Sequence, residues 1–263
     1  MRAIRQATLA ALLVVGVASG AQAQMMSTPP DTKTNATAAG MTYTGDSKWT
    51  FMVAPYFLFP HMDGTLGIKG NSIDVQADPG DIFDKLDFGF MLFSQARKGP
   101  WAFALDILYM DLGEDGQTLT GTYDATARQR GYLFEAYRRV TPRLEAMAGA
   151  MVTSVDANLQ TTGPLSFDET RSKTWTDPMV GGRVELLKKS KWRISLTGAV
   201  GGFGVASDFA WQVYPIVTYT PTTVDLGFGY RAGGIDYKSG SGSNEFVYDI
   251  VTFGPELGLG FHF

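Results

Sequence analysis

Three patterns in the chain predict an up-and-down antiparallel transmembrane β-barrel of about ten strands, with eight to twelve open. Apolar residues alternate with polar or small ones over most of residues 48–263, short and long connectors alternate in order, and tryptophans fall near the ends of the alternating runs. The alternation is plain in Trp101, Phe103, Leu105, Ile107 and Tyr109 against Ala102, Ala104 and Asp106. It recurs in Trp192, Ile194, Leu196, Gly198 and Val200 against Arg193, Ser195, Thr197, Ala199 and Gly201, and in Val224, Leu226, Phe228 and Tyr230 against Asp225, Gly227, Gly229 and Arg231. A two-residue period is the period of a strand. In a soluble sandwich the apolar face is the core, whereas in a membrane barrel it meets lipid.

The connectors choose between these. Lys98-Gly99-Pro100, Thr141-Pro142, Lys188-Lys189-Ser190-Lys191 and Thr220-Pro221-Thr222 are tight, and longer polar stretches at 111–128, 160–174 and 236–244 lie between them, with 206–208 a short exception. Membrane barrels show this asymmetry of short turns at one end and long loops at the other. The expected upward strands are 48–59, 101–111, 143–155, 192–204 and 223–235, and the downward ones 87–97, 128–140, 174–187, 208–219 and 245–263. Residues 61–86 form the first outer loop, extended by a hairpin through Thr65–Ile68 and Ser72–Val75. Its Asp74, Asp78, Asp81, Asp84 and Asp87 lack the spacing of a calcium loop, and a short helical turn packing Ile82, Phe83 and Leu86 on the barrel suits them better, with Asp81 near its N-terminus. Trp49, Trp101, Trp175, Trp192 and Trp211 are expected to form the interfacial girdle, where indole rings are favoured.

The N-terminus reads as separate from the fold. Arg2 and Arg5 precede an apolar run from Ala7 to Val17, and Ala21-Gln22-Ala23 supplies a small-residue cleavage site, which together make residues 1–23 a secretory signal peptide. Residues 24–47 have no periodicity and read as a flexible leader before the barrel at 48–263. Composition agrees with export. The chain has no cysteine, so disulfide frameworks, cysteine zinc sites and thiol nucleophiles are excluded. Its net charge of -4 makes it a poor candidate for nucleic acid, which demands a basic surface. The near-zero mean hydropathy averages an oily exterior with a polar interior.

If the apolar face meets lipid, the lumen is lined by Gln95, Asp106, Glu135, Arg139, Glu145, Asp177, Arg183, Glu185, Arg193, Asp225 and Arg231. Charges of both signs on neighbouring strands read as a salt-bridged polar filling, and otherwise as the lining of a narrow solute pore. No catalytic, cofactor or metal site is expected: the histidines, His61 and His262, fall at opposite ends and cannot share a site.

The chain ends with apolar residues at Leu257, Leu259, Phe261 and Phe263, which resembles the C-terminal insertion signal read by the barrel-assembly machinery of Gram-negative bacteria. The segments from Trp49 to Tyr56, Asp81 to Gly89, Gly99 to Tyr109, Trp175 to Pro178 and Gly201 to Trp211 resemble a group of proteobacterial outer-membrane β-barrel proteins of no agreed function. More distantly, the layout is similar to opacity-type and OmpA-like small barrels. The resemblance implies residence in the outer membrane and contact with its lipid, and it implies no biochemical activity. The reading of the barrel itself is a monomer with a structural or narrow-pore role, the alternatives being a scaffold whose outer loops bind an external ligand or partner, or an outer-membrane enzyme.

Overall fold

Alternating side chains give each strand two faces, and closing the sheet on itself assigns one face to the lumen and the other to the surroundings. The computed structural model describes residues 48–68, 71–118, 121–162 and 166–263. The expected signal peptide and leader lie outside the described residues. The elements are β1 (Thr50–Leu58), β2 (His61–Ile68), β3 (Asn71–Ala77), α1 (Pro79–Asp84), β4 (Leu86–Lys98), β5 (Trp101–Thr118), β6 (Gly121–Thr141), β7 (Leu144–Thr161), β8 (Phe167–Lys189), β9 (Trp192–Gly202), β10 (Phe209–Tyr219), β11 (Val224–Ser239) and β12 (Phe246–His262).

Among the described residues, ten strands close the barrel in the order β1-β4-β5-β6-β7-β8-β9-β10-β11-β12, and β12 pairs back with β1. The seam is antiparallel from Met52↔His262 to Leu58↔Glu256, with reciprocal backbone bonds between Phe51 and Phe263 (3.1 and 2.9 Å). The chain then breaks at Phe59 and Pro60 and resumes as β2, which pairs with the other half of β12 from Phe253↔His61 to Phe246↔Ile68. Gly254 permits that break: a Cβ there would lie 1.9 Å from the Phe59 carbonyl oxygen. β3 folds back on β2 as the expected hairpin, longer than the sequence indicates.

β3 pairs with no strand except β2 among the described residues, and α1 occupies the gap between it and β5. The Asp81 carboxylate accepts the Asp78 backbone N–H (3.1 Å), the reciprocal arm of a capping box at the helix start. Ile82 points into the lumen and is fully buried, while Phe83 stacks on Phe57 (5.3 Å) and packs edge-on against Phe59 (5.6 Å). Behind the helix, the Lys85 carbonyl accepts Gly113 N–H (2.9 Å), and Lys85 Nζ pairs with Glu114 (2.9 Å). The helix therefore fills a hole in the wall.

The tight turns fall where expected, but the long connectors at 111–128, 160–174 and 236–244 are mostly strand. β5 and β6 pair as far as Thr118↔Gly121, β7 and β8 as far as Thr161↔Phe167, and β11 and β12 as far as Ser239↔Phe246. The reason is a reversal of polarity along each strand. In β5 the outward residues run Trp101, Phe103, Leu105, Ile107, Tyr109 and then Asp111, whereas the inward ones run Ala102, Ala104, Asp106 and then Leu108, Met110 and Leu112. Outside, lipid gives way to water; inside, the polar middle of the lumen gives way to buried apolar side chains. Polar ladders hold the outward face beyond the lipid: Arg128 with Asp111 (2.8 Å), Arg130 with Asp156, Thr174 with Ser154 (2.9 Å), and Asn158 with Thr170 (3.0 Å).

The membrane belt itself is exposed and apolar, with Phe103, Phe134, Val180, Val213, Leu226, Phe228 and Leu257 all facing outward. A water-soluble protein does not carry so continuous an apolar surface. Phe134→Arg, opposite Leu105 within this belt, is expected to cost about 2–4 kcal/mol in urea unfolding of the bilayer-folded barrel. At the outer rim, Asp236 faces Asp249 across β11 and β12. Partial burial, then the Asp249 and Asp208 carboxylates, hold its carboxyl above the usual range. A raised carboxyl pKa destabilises the ionised fold at neutral pH, and the cost is relieved as pH falls through that pKa. Asp236→Asn should therefore stabilise at pH 7 by under about 1 kcal/mol, given solvent screening, and lose that advantage toward about pH 4. Urea midpoints across pH measure it.

Candidate functional site: the lumen

The inward positions divide the lumen into a charged layer and an apolar layer above it. In the charged layer, Arg231 on β11 reaches Glu256 on β12 (3.0 Å) and approaches Asp106 on β5 (3.7 Å), with β12, β1 and β4 between β11 and β5 in the wall. The Tyr56 hydroxyl donates to Asp106 (3.0 Å) and that of Tyr214 to Glu256 (2.8 Å). The Arg231 guanidinium also lies over the Tyr214 ring at 4.7 Å. Arg231 is 1% exposed. A buried charge this enclosed is tolerated only with close partners, and here the partners tie opposite walls together.

A second cluster surrounds Glu145 on β7. Arg183 on β8 donates to its Oε2 through Nε (3.1 Å) and Nη2 (2.6 Å), and Nη2 also donates to Gln95 on β4 (3.0 Å). Arg97 Nη1 lies 2.6 Å from Glu145 Oε1, and Arg139 Nε 3.7 Å from it. The Tyr137 ring lies under the Arg183 guanidinium at 4.4 Å. Toward the tight-turn end, Arg193 pairs with Glu185 (3.3 Å), and Asp225 accepts the Thr220 hydroxyl (2.6 Å) and meets His262 Nε2 (3.0 Å).

The structure thus places the eleven residues read as lumen-lining on the inward face, most within three ion-paired groups. Glu135 is buried on β6 below Leu133. Asp177 does something different: its two oxygens accept the backbone N–H (2.7 Å) and hydroxyl (2.6 Å) of Ser207, latching the β9–β10 turn to β8. That turn is tight because Gly202, Phe203 and Gly204 all have positive φ (81°, 52° and 71°). His61 sits at the opposite end from His262, 2.6 Å from Asp78. Among the described residues no three histidine or acidic side chains are grouped to hold a metal ion.

Sequence reasoning missed Arg97, Glu256 and the tyrosines. Parity could have found the first two: Arg97 shares the face of Gln95, and Glu256 that of Gly258 and Gly260. It also missed the upper layer, where Met62, Leu66, Val75, Ile82, Met110, Leu112, Val155, Ile235 and Ile250 belong to one cluster of buried apolar side chains. Trp175 belongs to this core and corrects the girdle expectation. It is 5% exposed and stacks on Tyr237 at 4.3 Å, with Tyr248 at 5.5 Å. Residues 175 and 177 share a face, so an inward Asp177 requires an inward Trp175. Trp49, Trp101 and Trp192 are exposed at the tight-turn end, Lys98 lying over Trp49 (5.7 Å) and Arg138 over Trp101 (5.4 Å), while Trp211 faces outward. Leu257, Leu259, Phe261 and Phe263 all point outward on the closing strand.

A closed antiparallel barrel with an apolar exterior belt and a charged interior at mid-height is an integral membrane β-barrel. Solved structures with a similar fold include Ail, the attachment invasion locus protein of Yersinia pestis (12% identity, 83% of this chain and 99% of that one, TM-score 0.38). They also include Neisserial surface protein A (14%, 81% and 96%, 0.30) and the toluene transporter TodX of P. putida (7%, 83% and 91%, 0.28). No protein-family model and no curated protein matches the chain.

Removing Arg231 leaves two buried carboxylates facing each other. Arg231→Ala should destabilise the folded barrel by about 3–5 kcal/mol. Adding Asp106→Asn and Glu256→Gln should restore much of the loss, read from urea unfolding in the same micelles.

Proposed function

We propose that this chain is a monomeric outer-membrane β-barrel of a Gram-negative bacterium, sealed to solutes, that serves as a scaffold presenting its outer hairpins and lid to an external ligand or partner. The observation that carries the reading is the contact of Arg231 with carboxylates on both sides of the lumen, under a layer of apolar side chains. A pore needs a continuous wet path. Here the charged layer spans the lumen, and buried apolar side chains, Ile82 of α1 among them, fill the layer above it.

The outer hairpins suit display. Their outward faces are polar, their strands are long, and cross-strand side-chain pairs hold them rigid. The apolar exterior supports immersion in outer-membrane lipid. The outward Leu257, Leu259, Phe261 and Phe263 on the strand that completes the wall support recognition by the barrel-assembly machinery, which would have to pair with that edge before closure. Release of the first 23 residues as a signal peptide belongs to the same reading.

The narrow-pore reading makes the opposite forecast for conductance. In planar bilayers the folded protein should give no steady channel current across a wide salt range. Regular single-channel steps that scale with salt would overturn the sealed reading and favour the pore.

A further inference from the structure

The surface cations of this barrel are partnered in opposite ways at its two ends. Toward the long hairpins they sit on carboxylates: Lys85 on Glu114 (2.9 Å), Arg128 on Asp111 (2.8 Å), Lys238 on Glu245 (3.0 Å), and Arg130 on Asp156. At the tight-turn end Lys98, Arg138, Arg143, Lys189 and Lys191 are exposed, and none of them pairs with a carboxylate among the described residues. The acids of that end point into the lumen, where Glu145, Glu185 and Asp225 already hold Arg183, Arg193 and His262. The terminal carboxylate of Phe263, beside Phe51, is one charge against these five. Arg139, Arg193 and Lys188 have interactions of their own and stand apart from the group. What the exposed cations do have beside them is aromatic. Register sets Lys98 of β4 opposite Trp101 of β5, and Trp101 opposite Arg138 of β6. Lys98 also lies over the Trp49 ring and Arg138 over the Trp101 ring. Two strands further on, Lys189 of β8 faces Trp192 of β9, whose ring packs on Tyr219 of β10 at 4.7 Å. Cations and indoles therefore alternate from strand to strand at one height of the wall.

We propose that this collar binds the phosphate groups of net-anionic phospholipids, of the phosphatidylglycerol class, in the leaflet at the tight-turn end. The height of the cations selects a lipid. Trp101 is followed on the same face by Phe103, an exposed member of the apolar belt, so the row stands about 7 Å along the strand from hydrocarbon. That is headgroup depth, and indole rings mark the same boundary. The ring under each cation covers one side and holds it against the wall, while the remaining N–H groups stay directed at the surroundings. Guanidinium and ammonium groups so placed are phosphate donors. The charge balance selects an anionic lipid. A zwitterionic headgroup brings its own ammonium into a row that has no exposed side-chain carboxylate to receive it, whereas a net-negative headgroup supplies the missing counter-charge. Clusters of basic residues at a membrane surface attract anionic lipid by about 1 kcal/mol per residue. The proposal rests on residence in a bilayer but not on whether the lumen is sealed.

The test uses the full chain with Trp211→Phe, which leaves Trp49, Trp101 and Trp192 as the outward indoles. It is folded into symmetric vesicles of phosphatidylcholine and phosphatidylglycerol, with bromine on the acyl chains of one lipid at a time. Quenching of indole fluorescence then reports which lipid lies beside the collar, and symmetric leaflets make the direction of insertion immaterial. Phosphatidylglycerol should be favoured at least about threefold at low salt, and the preference should decline as salt screens the cations. Lys98→Gln, Arg138→Gln and Lys189→Gln combined, with folding checked by unboiled gel mobility, should bring the two lipids toward parity. Arg128→Gln, on the outer hairpin, should leave the preference unchanged. Equal quenching by the two lipids with the collar intact would overturn the proposal, and cosedimentation with cell-wall sacculi in that case would assign the cations to an acidic polymer. A preference that survives the triple substitution in a folded barrel would overturn it too. Quenching by neither lipid would remove bilayer residence and the collar together, which separates that failure from the first. Replacing chloride by inorganic phosphate at equal ionic strength distinguishes a headgroup from a free ion: an unchanged preference supports the lipid, and its abolition overturns the lipid assignment.

Discussion

Everything in this barrel follows from the fact that a strand offers two faces while each face meets two different media along its length. At the height of Tyr109 and Tyr132 the outer face passes from lipid to water. At nearly the same height the inner face passes from a charged, ion-paired lumen to a packed apolar core. Backbone hydrogen bonding is indifferent to the change, so the ladders run through it without interruption. Side chains are not indifferent, and each strand changes the sign of its alternation there. The lower half of the wall is built like a membrane barrel, and the upper half like a small soluble β-barrel standing on top of it.

The two halves also solve the problem of filling a ten-strand lumen differently. Below, the space is bridged by long side chains whose charged heads meet near the axis, with tyrosine hydroxyls and rings satisfying the groups that remain. Above, where charges would have no hydration to fall back on, methionine, leucine, isoleucine and stacked aromatics take over. Trp175 on Tyr237 closes the space above the β9–β10 turn, where the wall is lowest. α1 closes the other low point, and it is placed by a capping box and two ring contacts rather than by a strand ladder.

The fold class was legible because period two is a direct projection of strand geometry, and because Pro, Gly and Lys mark the tight turns unambiguously. The short helix at 79–84 was legible from Asp78, Asp81 and the apolar pair Ile82 and Phe83. The extended hairpins were not: residues 111–128 and 160–174 are polar on the outward face, and polarity without apolar partners outside reads as loop. The mark of a strand lay on the inward face, in Leu112, Ala127 and Val155, one step out of phase with the membrane pattern. Of the lumen, the individual charges were readable from parity, but their grouping was not. Arg231 and Asp106 are brought together by curvature across five strands, and no spacing in the sequence encodes that distance. Trp175 shows the hazard of reading a residue type by its usual habitat before checking which face it occupies.

The break at Phe59 and Pro60 gives β12 two successive partners from the opposite end of the chain, β1 for one half and β2 for the other. Contacts so remote in sequence form late, because the whole intervening chain must be ordered first. The lid hairpin and the inward residues Met62 and Leu66 can therefore find Tyr248 and Ile250 only when the wall is complete. An unfinished barrel would leave those oily surfaces uncovered at the outer mouth, outside the bilayer. Covering them adds a driving force to the final step, so the same segment that roofs the lumen also fastens the circle shut.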